Sequence, residues 1–187
     1  MNKKDTVVFD LDGTLLDTLE DLKNSVNYAM TQCVYPEHTL DEVRRYVGNG
    51  ILLLMQRAIP GGKDDPNFDK AFTLFKEHYG KHCNDTTKPY AGIMELLHTL
   101  KENNIKIAIV SNKADFAVKE LNAIYFKDLI PVAIGEKESE GIRKKPAPDT
   151  VIEALKQLGS TAENSVYIGD SDVDIETARN SGMDEIL

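Results

Sequence analysis

Thr6-Val7-Val8-Phe9-Asp10-Leu11-Asp12-Gly13-Thr14 decides how this chain is read. The run Thr6 to Phe9 is β-branched and aromatic, which predicts a strand over Thr6–Asp10. Successive side chains of a strand face opposite ways. A strand buried on both faces would therefore carry apolar residues where Asp10 and Asp12 stand. Gly13 lets the backbone turn sharply and come close to a ligand. Two carboxylates at a strand end, followed by a tight turn, are what a metal-assisted nucleophilic site needs.

Moving outward, Leu19, Leu22, Val26, Ala29, Met30 and Cys33 recur at helical spacing. Thr39-Leu40-Asp41-Glu42 reads as a capping box opening a short helix. Gly48-Asn49-Gly50 breaks that helix, and Ile51–Ile59 continues as an apolar one. Pro60 to Pro66 is a loop, and Phe68, Ala71, Phe72, Phe75 and Tyr79 share one helical face. Residues from about Leu16 to about Cys83 are thus expected to be helical throughout. At Pro89-Tyr90-Ala91-Gly92 the pattern changes to alternation: a helix with Ile93, Leu96, Leu97 and Leu100, and strand Ile105–Val110. Helix Phe116–Ile124, strand Val132–Ile134, helix Asp149–Leu158 and strand Ser165–Ile168 follow. Alternating strands and helices imply a parallel sheet covered on both faces. The expected fold class is α/β, a Rossmann-like parallel sheet core formed by 1–15 and 89–187, with an α-helical cap, 16–88, inserted after the first strand.

The chain has 187 residues and a formal net charge of −9. That balance argues against nucleic acid as a partner, because phosphate backbones attract Lys/Arg surfaces. It leaves room for a small phosphate ester held by a few local cations and a metal. Cys33 and Cys83, the two cysteines, make neither a disulfide framework nor a zinc site. The start Met-Asn-Lys-Lys lacks the pattern of a signal peptide, and no apolar run has the roughly 20 residues of a membrane span. The expectation is a cytoplasmic protein with no membrane partner, either monomer or homodimer.

Ligands of open α/β sheets bind beyond the C-terminal strand ends, near a topological switch point. The polar residues follow that rule. Strand ends carry Asp10 and Asp12, Ser111-Asn112, and Gly169-Asp170-Ser171-Asp172-Val173-Asp174, while Lys144-Lys145-Pro146 lies in a loop before a helix. Hard oxygen donors of this kind suit Mg²⁺, which typically uses one or two carboxylates, waters and a substrate phosphate. Taken singly, each residue has an ordinary structural explanation. Asp12 can form an Asx turn, Asp170 and Asp174 can be helix N-terminal acids, and Lys145 competes with Arg143 and Lys144 as a surface charge.

Taken together, Asp10-x-Asp12-Gly13-Thr14, Ser111, Lys145 before Pro146, and Gly169-Asp170-x-x-x-Asp174 resemble the four ordered motifs of the haloacid-dehalogenase-like (HAD) phosphohydrolases. The helical insert resembles that family's cap. Tyr46-Val47-Gly48-Asn49-Gly50, Val110-Ser111-Asn112-Lys113 and Gly169 to Arg179 are similar to the phosphoglycolate phosphatase branch. Relatives continue into another strand and helix after the segment that Gly182-Met183 resembles; here Glu185-Ile186-Leu187 would only begin that strand.

The resemblance implies a Mg²⁺-dependent phosphatase acting on a small phosphorylated metabolite such as phosphoglycolate. Asp10 would be the nucleophile forming an aspartyl-phosphate. Asp12 would protonate the leaving oxygen and then activate water. Ser111, Asn112, Lys145 and the Gly13 turn would hold the phosphoryl group. Mg²⁺ would be held by Asp10, the main-chain carbonyl of Asp12, and Asp170, with Ser171 and Asp174 supporting. Asn49 of the cap would select substrate, cap closure would exclude water, and Arg57 reads as a solvated helix position. A sugar-phosphate mutase or a pyrophosphatase of the same branch shares these motifs. A catalytically weak phosphate- or metal-binding relative is the alternative of another class.

Overall fold

The computed structural model describes residues 4–187. The chain divides into two compact units, one built from residues up to Leu16 together with Pro89–Leu187, the other from Asp17–Lys88.

The first unit holds a sheet of five parallel strands: β1 (Thr6–Phe9), β4 (Lys106–Ala114), β5 (Val132–Glu136), β6 (Ser165–Ile168) and β7 (Asp184–Ile186). Their order is β5-β4-β1-β6-β7, so β1 is central and pairs with both β4 and β6. Val8 stands opposite Ala108 on one side and Tyr167 on the other. The inner strands β1 and β4 are apolar over Val7–Phe9 and Ile107–Val110 because both faces are covered there, whereas the edge strand β7 is exposed at all three positions. Phe9, Ile107 and Ile109 pack with Leu97 of α5 (Ile93–Glu102) and with Val118 and Leu121 of α6 (Asp115–Tyr125). Val8, Ala108, Val110 and Tyr167 face the other way, onto Val151, Ala154 and Leu155 of α7 (Asp149–Leu158) and Ala178 of α8 (Asp172–Ser181). After β1 the chain adds β4 and then β5 on one side, and later returns to add β6 and β7 on the other. The ends of β1, β4 and β6 therefore meet at the switch point.

Two expectations need correction here. β1 ends at Phe9, so Asp10 is the first residue beyond the strand. β4 does not stop at Val110; it continues through Ser111-Asn112-Lys113 to Ala114, with a register shift against β5 between Val110 and Ala114. A bulge of this kind re-aims side chains where regular pairing would not.

The second unit contains α1 (Leu19–Gln32), α2 (Leu40–Tyr46), α3 (Ile51–Ala58) and α4 (Phe68–His82). It is not helical throughout. Its entry, β2 (Leu16–Asp17), pairs with β3 (Lys88–Pro89) at its exit, and Gly62–Asp64 is a single 3₁₀ turn. Leu22, Val26, Ala29 and Met30 of α1 join Leu54, Met55, Phe68, Ala71 and Phe75 in a separate core. Thr39 and Glu42 form the expected capping box.

One buried charge fastens this unit. The Asp21 carboxylate accepts bonds from the Thr86 amide at 3.0 and 3.1 Å and the Thr86 hydroxyl at 2.6 Å. It also accepts from the Thr87 amide at 2.9 Å and the Thr87 hydroxyl at 2.8 Å. Burial pushes the Asp21 carboxyl up, but these donors outweigh it and hold the group below its ordinary range. Among the described residues, no helix is long and apolar enough to cross a membrane.

Candidate active site

Asp10 is positioned by the centre of the sheet. Its amide donates to Ile168 O of β6 at 2.8 Å, so the residue after β1 is tied to the neighbouring strand. The next turn is held by Leu15 and Leu16 amides bonding back to Leu11 O at 3.0 and 2.9 Å. Gly13 sits at φ +87, and a Cβ there would come within 2.2 Å of Asp170 Oδ2. The position requires glycine on both counts.

Lys145 occupies the middle of the cluster, with its side chain 2% exposed. Its Nζ lies 2.8 Å from Asp10 Oδ1 and 2.7 Å from Asp174 Oδ1, and it donates to the Tyr167 hydroxyl at 3.1 Å. Burial opposes the Lys145 charge, yet Asp10, Tyr167 and Asp174 together raise its affinity for the proton well above the ordinary lysine value. Lys144 instead points to Glu138, and Arg143 pairs with Asp149. Of the three neighbouring cations, only Lys145 enters the cluster.

Asp174, at the start of α8, uses both oxygens internally. Oδ1 accepts from Lys145 at 2.7 Å and Tyr167 at 3.1 Å. Oδ2 accepts from the amides of Asp170 and Ser171 at 3.3 and 3.1 Å and from Ser171 Oγ at 2.6 Å. Burial pushes the Asp174 carboxyl up, but Lys145 and these donors bring it below its usual range. Gly169 makes room for this carboxyl: a Cβ there would stand 2.3 Å from Asp174 Cγ. Asp170 is more exposed, and burial followed by the Asp174 charge raises its carboxyl.

Carboxylate oxygens of Asp10, Asp170 and Asp174 lie within 4.8 Å of one another. The donor set fits a hard divalent cation. Four carboxylates, those of Asp10, Asp12, Asp170 and Asp174, gather with two ammonium groups, those of Lys113 and Lys145. The carboxyl groups thus outnumber the ammonium groups in the cluster. Burial pushes the Asp10 carboxyl up to about 7 despite Lys145 beside it. Because Asp174 spends its oxygens on five donors, Asp10 and Asp170 are the carboxylates of this group that could hold such a cation.

The remaining site residues divide. Ser111 is buried, and its Oγ accepts from the Lys113 amide at 3.2 Å. Asn112 Nδ2 donates to Lys145 O at 3.1 Å, tying β4 to the lysine loop. Asn49 belongs to the other unit, where its Oδ1 accepts from Arg57 at 2.9 Å while Arg57 also bonds Tyr46 O at 2.8 Å. Arg57 is exposed, as expected, but it braces the glycine-flanked break.

Two residues of the cluster escape sequence reasoning. Lys113 Nζ straddles the Asp12 carboxylate at 3.0 and 3.3 Å. Its signal is position: two residues after Ser111, it shares a strand face with it. Tyr167 looks like one more apolar strand residue, but a buried phenol needs a partner, and here it has Lys145 and Asp174.

The sequence profile of haloacid dehalogenase-like hydrolases matches residues 7–187. The chain is 32% identical over 185 residues to a phosphoglycolate phosphatase of Aquifex aeolicus, covering 97% of this chain and 83% of that one. It is 31% identical over 183 residues to a phosphoglycolate phosphatase of Pseudomonas putida, covering 95% of this chain and 66% of that one. A solved structure from Lactobacillus delbrueckii subsp. bulgaricus, provisionally named a phosphoglycolate phosphatase, superposes with TM-score 0.89 at 36% identity, covering 98% of this chain and 85% of that one. With the profile spanning nearly its whole length and the four-motif cluster assembled at the switch point, this chain belongs to the haloacid dehalogenase-like hydrolase family.

Proposed function

We propose that this protein is a Mg²⁺-dependent phosphatase that hydrolyses a small phosphate monoester, phosphoglycolate or a close analogue, through an aspartyl-phosphate on Asp10. The observation that carries the reading is the Lys145 ammonium, buried between Asp10 and Asp174 at 2.8 and 2.7 Å. A cation buried there opposes the effect of burial on the attacking carboxyl, keeps it directed, and offers positive charge where a phosphoryl group would gain negative charge. The names of the relatives support the ester class.

In this scheme the Asp10 carboxylate attacks phosphorus in line with the departing oxygen. Asp12, two residues on, gives its proton to that oxygen as the bond to phosphorus breaks, then takes one from the water that cleaves the acyl phosphate. Ser111 Oγ and the amides of Leu11 and Asp12 hold phosphoryl oxygens, while the Gly13 amide is spent on Leu16 O at 2.9 Å. Asp10 and Asp170 would hold Mg²⁺, which supplies electrostatic stabilisation of the transferring group. The small phosphorylated metabolite is the partner in this reading.

The test is steady-state hydrolysis of phosphoglycolate by the full chain. Turnover is expected to require Mg²⁺, to vanish in EDTA and to fall at least about 1,000-fold in Asp10→Asn, with the far-ultraviolet spectrum unchanged. Undiminished turnover by that variant, or by metal-free protein in chelator, would overturn the reading.

A further inference from the structure

The carboxyl group assigned to the leaving-group side is paired with a buried lysine to which the scheme above gives no task. Lys113 lies within the register-shifted segment of β4, its side chain is 4% exposed, and its Nζ lies 3.0 Å from Asp12 Oδ1 and 3.3 Å from Oδ2. The other buried lysine is committed to Asp10, Asp174 and Tyr167. The two cations therefore divide the site. Lys145 serves the nucleophile, and Lys113 stands beside the residue that meets the departing oxygen.

The position has a consequence for the substrate. An Asp12 oxygen bonded to the leaving oxygen would sit about 2.7 Å from it. Adding the 3.0 Å contact to Lys113 places the ammonium at most roughly 6 Å from the leaving oxygen. A group on the carbon that bears the ester oxygen falls within that reach. When Asp12 carries the proton it gives to the leaving oxygen, it no longer offers Lys113 a full negative charge. A buried ammonium stripped of an anionic acceptor is costly. A carboxylate carried by the departing alcohol would replace what Asp12 withdraws, and a neutral alcohol would not.

We propose that Lys113 is a specificity-determining residue that binds a carboxylate on the departing alcohol, so that the enzyme prefers phosphate esters of 2-hydroxy acids to those of neutral alcohols. This rests on the phosphatase reading of the same site. It assigns Lys113 to a contact with substrate, beyond holding Asp12 in place, and the two roles separate experimentally. A residue that merely positions Asp12 affects every ester with a poor leaving group equally. A residue that binds the carboxylate affects only the ester that has one.

The experiment compares kcat/KM for phosphoglycolate and for ethyl phosphate, both esters of poorly acidic alcohols, in wild type, Lys113→Gln and Lys113→Arg with Mg²⁺. Wild type is expected to prefer phosphoglycolate at least tenfold. Lys113→Gln is expected to lose at least tenfold more on phosphoglycolate than on ethyl phosphate, and Lys113→Arg to keep part of the preference. Equal losses on the two esters would overturn the inference while leaving the phosphatase reading intact. Absence of preference in wild type would overturn it too, and needs no variant to fold. Wild type inactive on both esters would instead remove the phosphatase reading, and this inference with it.

Discussion

Lys145 and Asp174 stand 2.7 Å apart, ammonium to carboxylate, with side chains 2% and 1% exposed. At that depth the pair is a commitment on both sides. Two charges taken from water recover the cost only through close partners and full hydrogen bonding, and Asp174 has both. The same ammonium reaches Asp10, so the support of the lysine and the state of the nucleophile are one electrostatic unit.

Asp174→Ala should therefore damage stability and turnover together. Removing one member of a buried pair typically costs about 3–5 kcal/mol, and here Lys145 would keep only Asp10 against the charge that Asp174 now balances. Urea unfolding should show a loss of that size, and kcat should fall at least about 100-fold in the fraction that stays folded. Unchanged kcat would mean that Lys145 is held without Asp174.

Gly13→Ala tests the close approach of the turn to Asp170. The new methyl would be strained by φ +87 and would meet Asp170 Oδ2 at 2.2 Å. The carboxylate end is free to swing, so the fold should survive with a loss of about 1–2 kcal/mol. Swinging moves a proposed metal ligand, and titration calorimetry should show Mg²⁺ affinity reduced at least about tenfold. Wild-type affinity would place the cation away from Asp170.

Asp21 supplies a pH dependence that is independent of the reaction. Its carboxyl is held below the ordinary value by Thr86 and Thr87 against the opposing effect of burial. A group with a depressed folded value contributes stability that is present above its unfolded value of 3.8 and lost as pH falls through the folded one. Asp21→Ala should cost about 2–4 kcal/mol near neutrality. The difference from wild type should shrink below the unfolded value as acid protonates the native carboxylate. A difference that stays constant into strong acid would show that the ionised form is not what matters.

Much of the sheet was legible in advance. Helix Asp149–Leu158 and strand Ser165–Ile168 fall where periodicity places them, because tertiary packing and local pattern agree there. The misreadings lie where polar residues do structural work inside the fold. Ser111-Asn112-Lys113 looks like the end of a strand, since three polar residues normally leave the core, yet β4 carries them on because its end faces other polar groups. Lys113 and Asp12 are 101 positions apart, and no local pattern announces their pairing. Asp21 in a first helical turn is the ordinary preference of an acid for a helix N-terminus, and its partners arrive 65 and 66 residues later. Conversely, Asp10, Lys145, Asp170 and Asp174 were readable because one ordered set of motifs accounts for all of them, although each alone has an ordinary explanation.

The clasp between Asp21 and Thr86–Thr87 bears on how such a protein changes over generations. It closes just inside the points where Leu16–Asp17 and Lys88–Pro89 pair. An insertion whose two ends are gripped beside each other behaves toward its host like a short loop, however long it is, because little chain entropy remains to be lost at the junction. The sequence between the clasp points is then free to drift, lengthen or be exchanged without disturbing the register of β1. The insert can be rebuilt while the strand that leads into Asp10 is inherited untouched.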